Sequence, residues 1–152
     1  MFNGCQGKMF LVLLHHDDGE NHVLGEKLIE LHPDFRPYVV MTDFYGSDRR
    51  VESLINGMGF GPVSIERRTE LGLFSQSEIS LYGKRWKQME VMIEQALSRA
   101  KDQSDVVIAT SGVFLGNILL AVLKSPCVFK RLGSAYYVVF EDDNTFVVAP
   151  VK

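Results

Sequence analysis

Cysteine is scarce: Cys5 and Cys127 are the only two, too few for a disulfide framework and more in keeping with free thiols of a reducing compartment. A basic excess is also missing. Sixteen Lys and Arg against nineteen Asp and Glu leave a net charge of −3, which argues against a nucleic-acid partner. Long hydrophobic runs are absent as well. Residues 9–14 form an apolar run of only six, too short for a membrane span or a signal-peptide core. The later run over 113–123 is interrupted by Gly116 and Asn117. These features lead to the expectation of a cytoplasmic protein with no membrane association. No repeat, low-complexity tract or linker divides the chain, so its 152 residues are expected to form one domain. No glycine-rich loop follows the first apolar run, which removes the P-loop and dinucleotide motifs. Asp142-Asp143 has no further spaced oxygen ligands after it and reads as a turn, not a calcium site.

What is present alternates between two periods. Residues 9–14 are apolar without interruption and end abruptly in polar residues, the pattern of a strand buried on both faces. A helix is expected over 20–32, with Val23, Leu24, Leu28 and Leu31 on one stripe. Pro33 and Pro37 stop it, and 38–41 reads as a second buried strand. Ser47 or Asp48 can cap another helix carrying Val51, Leu54, Ile55 and Met58 at helical spacing. Glycines 57, 59 and 61 end it, before a third strand over 62–65. Residues 67–80 show no period and read as a covering loop. From Tyr82 to Lys101 apolar positions advance by threes and fours, with Trp86, Met89 and Met92 as packing residues of that helix. A fourth strand over 105–109 leads through Thr110-Ser111-Gly112 into an apolar helix. Two β-rich segments, 135–141 and 145–148, flank Asp142-Asp143-Asn144, a hairpin turn. The expected architecture is three-layer α/β/α, with a largely parallel sheet and antiparallel edge strands.

In such sheets ligands bind beyond the carboxyl ends of the strands. Three polar clusters fall there: His15-His16-Asp17-Asp18, Thr42-Asp43 and Thr110-Ser111-Gly112. The last opens a helix, where free N–H groups and the helix dipole favour an anion. Adjacent side chains at a strand end diverge, so only one of His15 and His16 is expected to face the crevice.

These strings, in this order, resemble the histidine phosphatase superfamily, the phosphoglycerate-mutase-like fold. Residues 10–17, Phe-Leu-Val-Leu-Leu-His-His-Asp, are similar to the first strand of that family, which ends in Arg-His-Gly. The resemblance puts His16 at the nucleophile position and His15 in place of the arginine. Residues 42–54 resemble the segment that carries a phosphate-binding arginine, for which Arg49 and Arg50 stand nearby. Residues 66–72 resemble the stretch with the acidic proton donor, which implies Glu70. Residues 105–112 resemble the strand ending in Ser-His-Gly, with Ser111 where the second catalytic histidine belongs. The resemblance therefore implies catalysis by His16 and Glu70, phosphate held by His15, Arg49, Arg50, Ser111 and Gly112, and neither metal nor organic cofactor. The implied partner is a small phosphorylated molecule or a phosphoprotein.

Phosphoryl transfer depends on cationic and bidentate donors around the dianion. Each such group is worth roughly 3 kcal/mol, so replacing the motif arginine and second histidine leaves two alternatives. One is a non-catalytic regulatory or interaction module on the same fold, acting as a subunit or a homodimer. The other follows from a second likeness: His15-His16-Asp17-Asp18 resembles the His-Pro-Asp-Asp-Glu string of zinc-dependent N-acetylglucosaminyl deacetylases. There His15 and Asp17 would bind zinc and Asp18 would be the base, but the third ligand of that family has no counterpart here.

Overall fold

β1 (Met9–Leu13) is apolar at every position because it is covered twice. In the computed structural model, which describes residues 8–42, 48–59, 63–67, 82–101, 105–110, 113–140 and 146–151, this strand lies inside the sheet. It pairs in parallel with β4 (Asp105–Thr110) and antiparallel with β5 (Ser134–Phe140). β2 (Pro37–Thr42) and β3 (Ser64–Arg67) extend the parallel half, and β6 (Phe146–Pro150) closes the antiparallel edge. Among the described residues the order is β3-β2-β4-β1-β5-β6.

The two-residue period of each strand divides the core in two. Met9, Leu11 and Leu13, with Val106 and Ile108, face α3 (Tyr82–Lys101) and α4 (Val113–Val122). Phe10 and Val12, with Val107 and Ala109, face α1 (Asp18–Leu31) and α2 (Asp48–Met58). The result is the expected three-layer α/β/α arrangement, a largely parallel sheet with an antiparallel pair at one edge. No helix among the described residues is long and apolar enough to cross a membrane.

Two features differ from the periodicity. α1 starts at Asp18, because the Asp17 side chain accepts the Gly19 N–H and caps the helix. Its buried face is Asn21, Leu24, Gly25 and Leu28, whereas Val23 and Leu31 are 58% and 46% exposed. The cause is the neighbouring helix. A Cβ on Gly25 would overlap the Leu54 carbonyl oxygen, and one on Gly57 would overlap that of His22. The two helices therefore meet backbone to backbone at glycines, and the helix turns its glycine and asparagine inward at the expense of two apolar side chains.

The amino edge of the sheet is tied by one carboxylate. Asp105 accepts the main-chain N–H groups of Lys8 and Arg36, each at 2.7 Å, which joins the entries of β1, β2 and β4. At the same end His32 packs edge-on against Phe10, and its Nδ1 accepts from Lys8 Nζ at 3.3 Å. Burial, reinforced by the Lys8 charge, pushes the His32 imidazole below its ordinary range.

Candidate functional site

The carboxyl ends of β1, β2 and β4 converge on one edge. Thr42 and Thr110, which end β2 and β4, are both buried. The Leu14 N–H donates to the Thr110 carbonyl oxygen at 2.8 Å, so the chain leaves β1 still attached to β4. On the other side the Gly133 N–H donates to the Leu13 carbonyl oxygen, also at 2.8 Å. That contact brings the turn before β5 over the end of β1. Gly133 has φ +74°, left-handed backbone that glycine adopts without a Cβ penalty.

His15 sits between these anchors, half-buried. Asn21, wholly buried in the first turns of α1, clamps its main chain from both sides. Asn21 Oδ1 accepts the His15 N–H at 2.9 Å, and Asn21 Nδ2 donates to the His15 carbonyl oxygen at 3.0 Å. The ring is held separately: the Asp17 N–H donates to His15 Nδ1 at 2.9 Å. The opposite ring edge faces the turn, since a Cβ on Gly133 would stand 3.5 Å from His15 Cδ2.

An open cleft of about 580 Å³ lies over this point, lined by His15, Glu20, Arg131, Leu132 and Gly133. Arg131, in the turn that leads into β5, is exposed. Its carbonyl oxygen accepts from Ser134 Oγ at 2.7 Å, which secures that turn. Glu20, in the first turn of α1, is the acidic residue of the lining. The cleft is thus lined by residues that carry an imidazole, a guanidinium and a carboxylate, a set able to bind an anion and to discriminate what is attached to it.

The histidines diverge as a strand end requires. His15 lines the cleft, while His16 is exposed and is not among its lining residues, their rings being 6.2 Å apart. Arg49 and Arg50 stand in the first turn of α2, outside the described lining. Arg49 approaches Asp18 at 3.6 Å, with its side chain 89% exposed, so the pair is solvated and weak. Glu70, Ser111 and Gly112, together with Asp43, lie outside the described residues. Position 14, next to the cleft histidine, is a buried leucine. Among the described residues no three His, Cys, Asp or Glu side chains converge in a metal-binding group.

Three participants escaped the sequence reading. Asn21 and Glu20 were hidden in a helix whose face was assigned by its apolar residues, and Arg131 stands far along the chain. The antiparallel return of β5 beside β1 brings Arg131 to the cleft that His15 lines, and no local pattern signals that pairing.

No protein-family model matches the sequence, and no curated protein does. Solved structures do match. Phosphoglycerate mutase from Bacillus anthracis superposes with a TM-score of 0.66 at 12% identity, covering 96% of this chain and 93% of that one. Alpha-ribazole phosphatase from Shigella flexneri gives 0.63 at 9% identity, covering 95% of each chain. The protein histidine phosphatase SixA, complexed with tungstate, gives 0.60 at 13% identity and 93% of each chain.

Proposed function

We propose that this chain, which has the phosphoglycerate-mutase-like fold of the histidine phosphatases, binds a phosphate or phosphomonoester group in the cleft beside His15. The observation that carries the reading is that His15 and Arg131 line one cleft at the carboxyl end of β1. A guanidinium presents paired N–H donors to phosphate oxygens, and an imidazole whose backbone is clamped by Asn21 adds a directed contact at little entropic cost. Phosphate binding at this edge agrees with the general placement of ligands in open α/β sheets. The tungstate bound by SixA, an oxyanion like phosphate, is consistent with it.

Glu20 shapes the choice of ligand. Its carboxylate disfavours a bare dianion in the same cleft, and it accepts hydrogen bonds from an alcohol portion that carries hydroxyl or amino groups. A phosphomonoester with such a donor is therefore preferred over inorganic phosphate. The sequence-derived roles of Arg49, Arg50, Ser111 and Gly112 as further phosphate contacts belong to the same proposal, as does Glu70 as a proton donor in any turnover. For the histidine, position 15 takes precedence over the exposed His16.

Titration of metal-free protein with inorganic phosphate and with a small hydroxylated phosphomonoester, followed by amide NMR, tests the reading. Saturable shifts centred on residues 15–21 and 131–133 are expected. His15→Ala and Arg131→Gln each weaken binding about tenfold, as expected for a lost charge-assisted contact of roughly 1.5 kcal/mol, and His16→Ala has a smaller effect. Unchanged spectra at saturating phosphate would reject it.

A further inference from the structure

The start of α1 decides which nitrogen of His15 carries the proton. An N–H can be accepted only by a lone pair, and the Asp17 N–H points at Nδ1 from 2.9 Å. Nδ1 is therefore the unprotonated nitrogen of the neutral ring, and the proton resides on Nε2. Nε2 is bonded to Cδ2, the atom that faces Gly133 in the cleft lining. The donor of the neutral ring is thus Nε2, one bond from the ring atom nearest Gly133, in a residue that lines the same cleft as Arg131.

Asp17, which supplies the N–H to His15 Nδ1, is also the cap residue of α1. Its side chain accepts the Gly19 N–H at 2.7 Å, and its carbonyl oxygen accepts from the Glu20 and Asn21 N–H groups. The N–H that meets His15 therefore belongs to the same residue that caps α1. Asn21, the residue one turn further on, fixes the His15 main chain in the same stroke.

We propose that His15 is locked by the α1 cap in its Nε2–H tautomer and meets a phosphate oxygen as a donor beside Arg131. The cleft then holds a phosphoryl group without accepting it covalently. Attack on phosphorus would need a lone pair on Nε2, and hence a proton moved to Nδ1, where it would oppose the Asp17 N–H. The cation required by the anion comes from Arg131 across the antiparallel pair, while position 14 on the other side of His15 is occupied by buried leucine. The inference rests on phosphate binding at this cleft and specifies its chemistry: recognition of a phosphorylated ligand by donation, with the P–O bond left intact.

The test uses the full chain labelled with nitrogen-15. Long-range proton–nitrogen spectra of the imidazoles report the His15 tautomer directly, free and with inorganic phosphate. The same protein is incubated with 4-nitrophenyl phosphate, assayed for nitrophenol, and examined by intact mass after alkaline quenching, which preserves phosphohistidine. The Nε2–H tautomer, saturable phosphate binding and no phosphoryl adduct or nitrophenol are expected. Asp17→Pro removes the N–H, and Asp17→Ala removes only the capping oxygen. The tautomer is expected to shift in the former and persist in the latter, a distinction that lost helix stability alone would not produce. An Nδ1–H tautomer, or a phosphoryl group trapped on residue 15, would overturn this inference while leaving phosphate binding intact. Absence of phosphate binding would remove both readings together.

Discussion

Replacing Asn21 by alanine separates the architecture of the cleft from its chemistry. Asn21 is wholly buried and makes two hydrogen bonds to the main chain of His15. A net hydrogen bond contributes about 1 to 1.5 kcal/mol, and groups left without partners raise that cost. Two bonds therefore total about 2 to 3 kcal/mol. Alanine is the better helix former and returns about 0.6 kcal/mol at this helical position. The expected net loss is about 1.5 to 2.5 kcal/mol, or roughly 3 to 10 °C in Tm for a domain of this size. Urea unfolding of Asn21→Ala beside the parent protein measures it. Asn21→Asp keeps the acceptor for the His15 N–H but sets an oxygen against its carbonyl, so it is expected to be worse than alanine. A loss below about 0.5 kcal/mol, the range of ordinary surface substitutions, would refute the clamp.

Gly57→Ala places a Cβ against the His22 backbone; overpacking of about 3 kcal/mol outweighs a helix-propensity gain of about 1 kcal/mol, and chemical denaturation should show a net loss near 2 kcal/mol. Asp105→Ala frees two N–H groups at the amino edge and is expected to cost about 2 to 3 kcal/mol. Phosphate affinity measured by calorimetry should not change, because the cleft lies at the other end of the strands. His32 is held below the ordinary imidazole range by burial and by Lys8, so the unfolded chain takes up its proton first as pH falls. Its contribution to stability is complete above about pH 6.5 and is lost as pH drops through the lowered folded value. Urea midpoints compared on either side of that window should fall more steeply with acid for the parent protein than for His32→Phe.

The order and type of the elements were legible because each buried strand announces itself locally. Residues 9–14 and 106–109 are apolar at every position, a pattern that only double coverage explains, and the helix expected from Tyr82 to Lys101 matches α3 in its bounds. The two β-rich segments near the end of the sequence pair antiparallel as β5 and β6, while Asp142-Asp143-Asn144 lie outside the described residues. The face of α1 was not legible. Its burial is set by a glycine-to-glycine approach of α2, and a single helix records nothing of the neighbour it will meet.

The sequence by itself determined where a site could be. Polar residues following buried strands must emerge at the carboxyl edge of a parallel sheet, and adjacent histidines there must diverge. Only the tertiary structure decided which histidine enters the cleft and what stands around it. His15 is selected by Asn21 and the Asp17 N–H, groups that act once the helix has been capped and docked. Arg131 joins it because β5 runs antiparallel beside β1, placing the turn that precedes Ser134 over Leu13. Strand pairing sets such contacts across more than a hundred residues of chain, a distance over which no local spacing carries information.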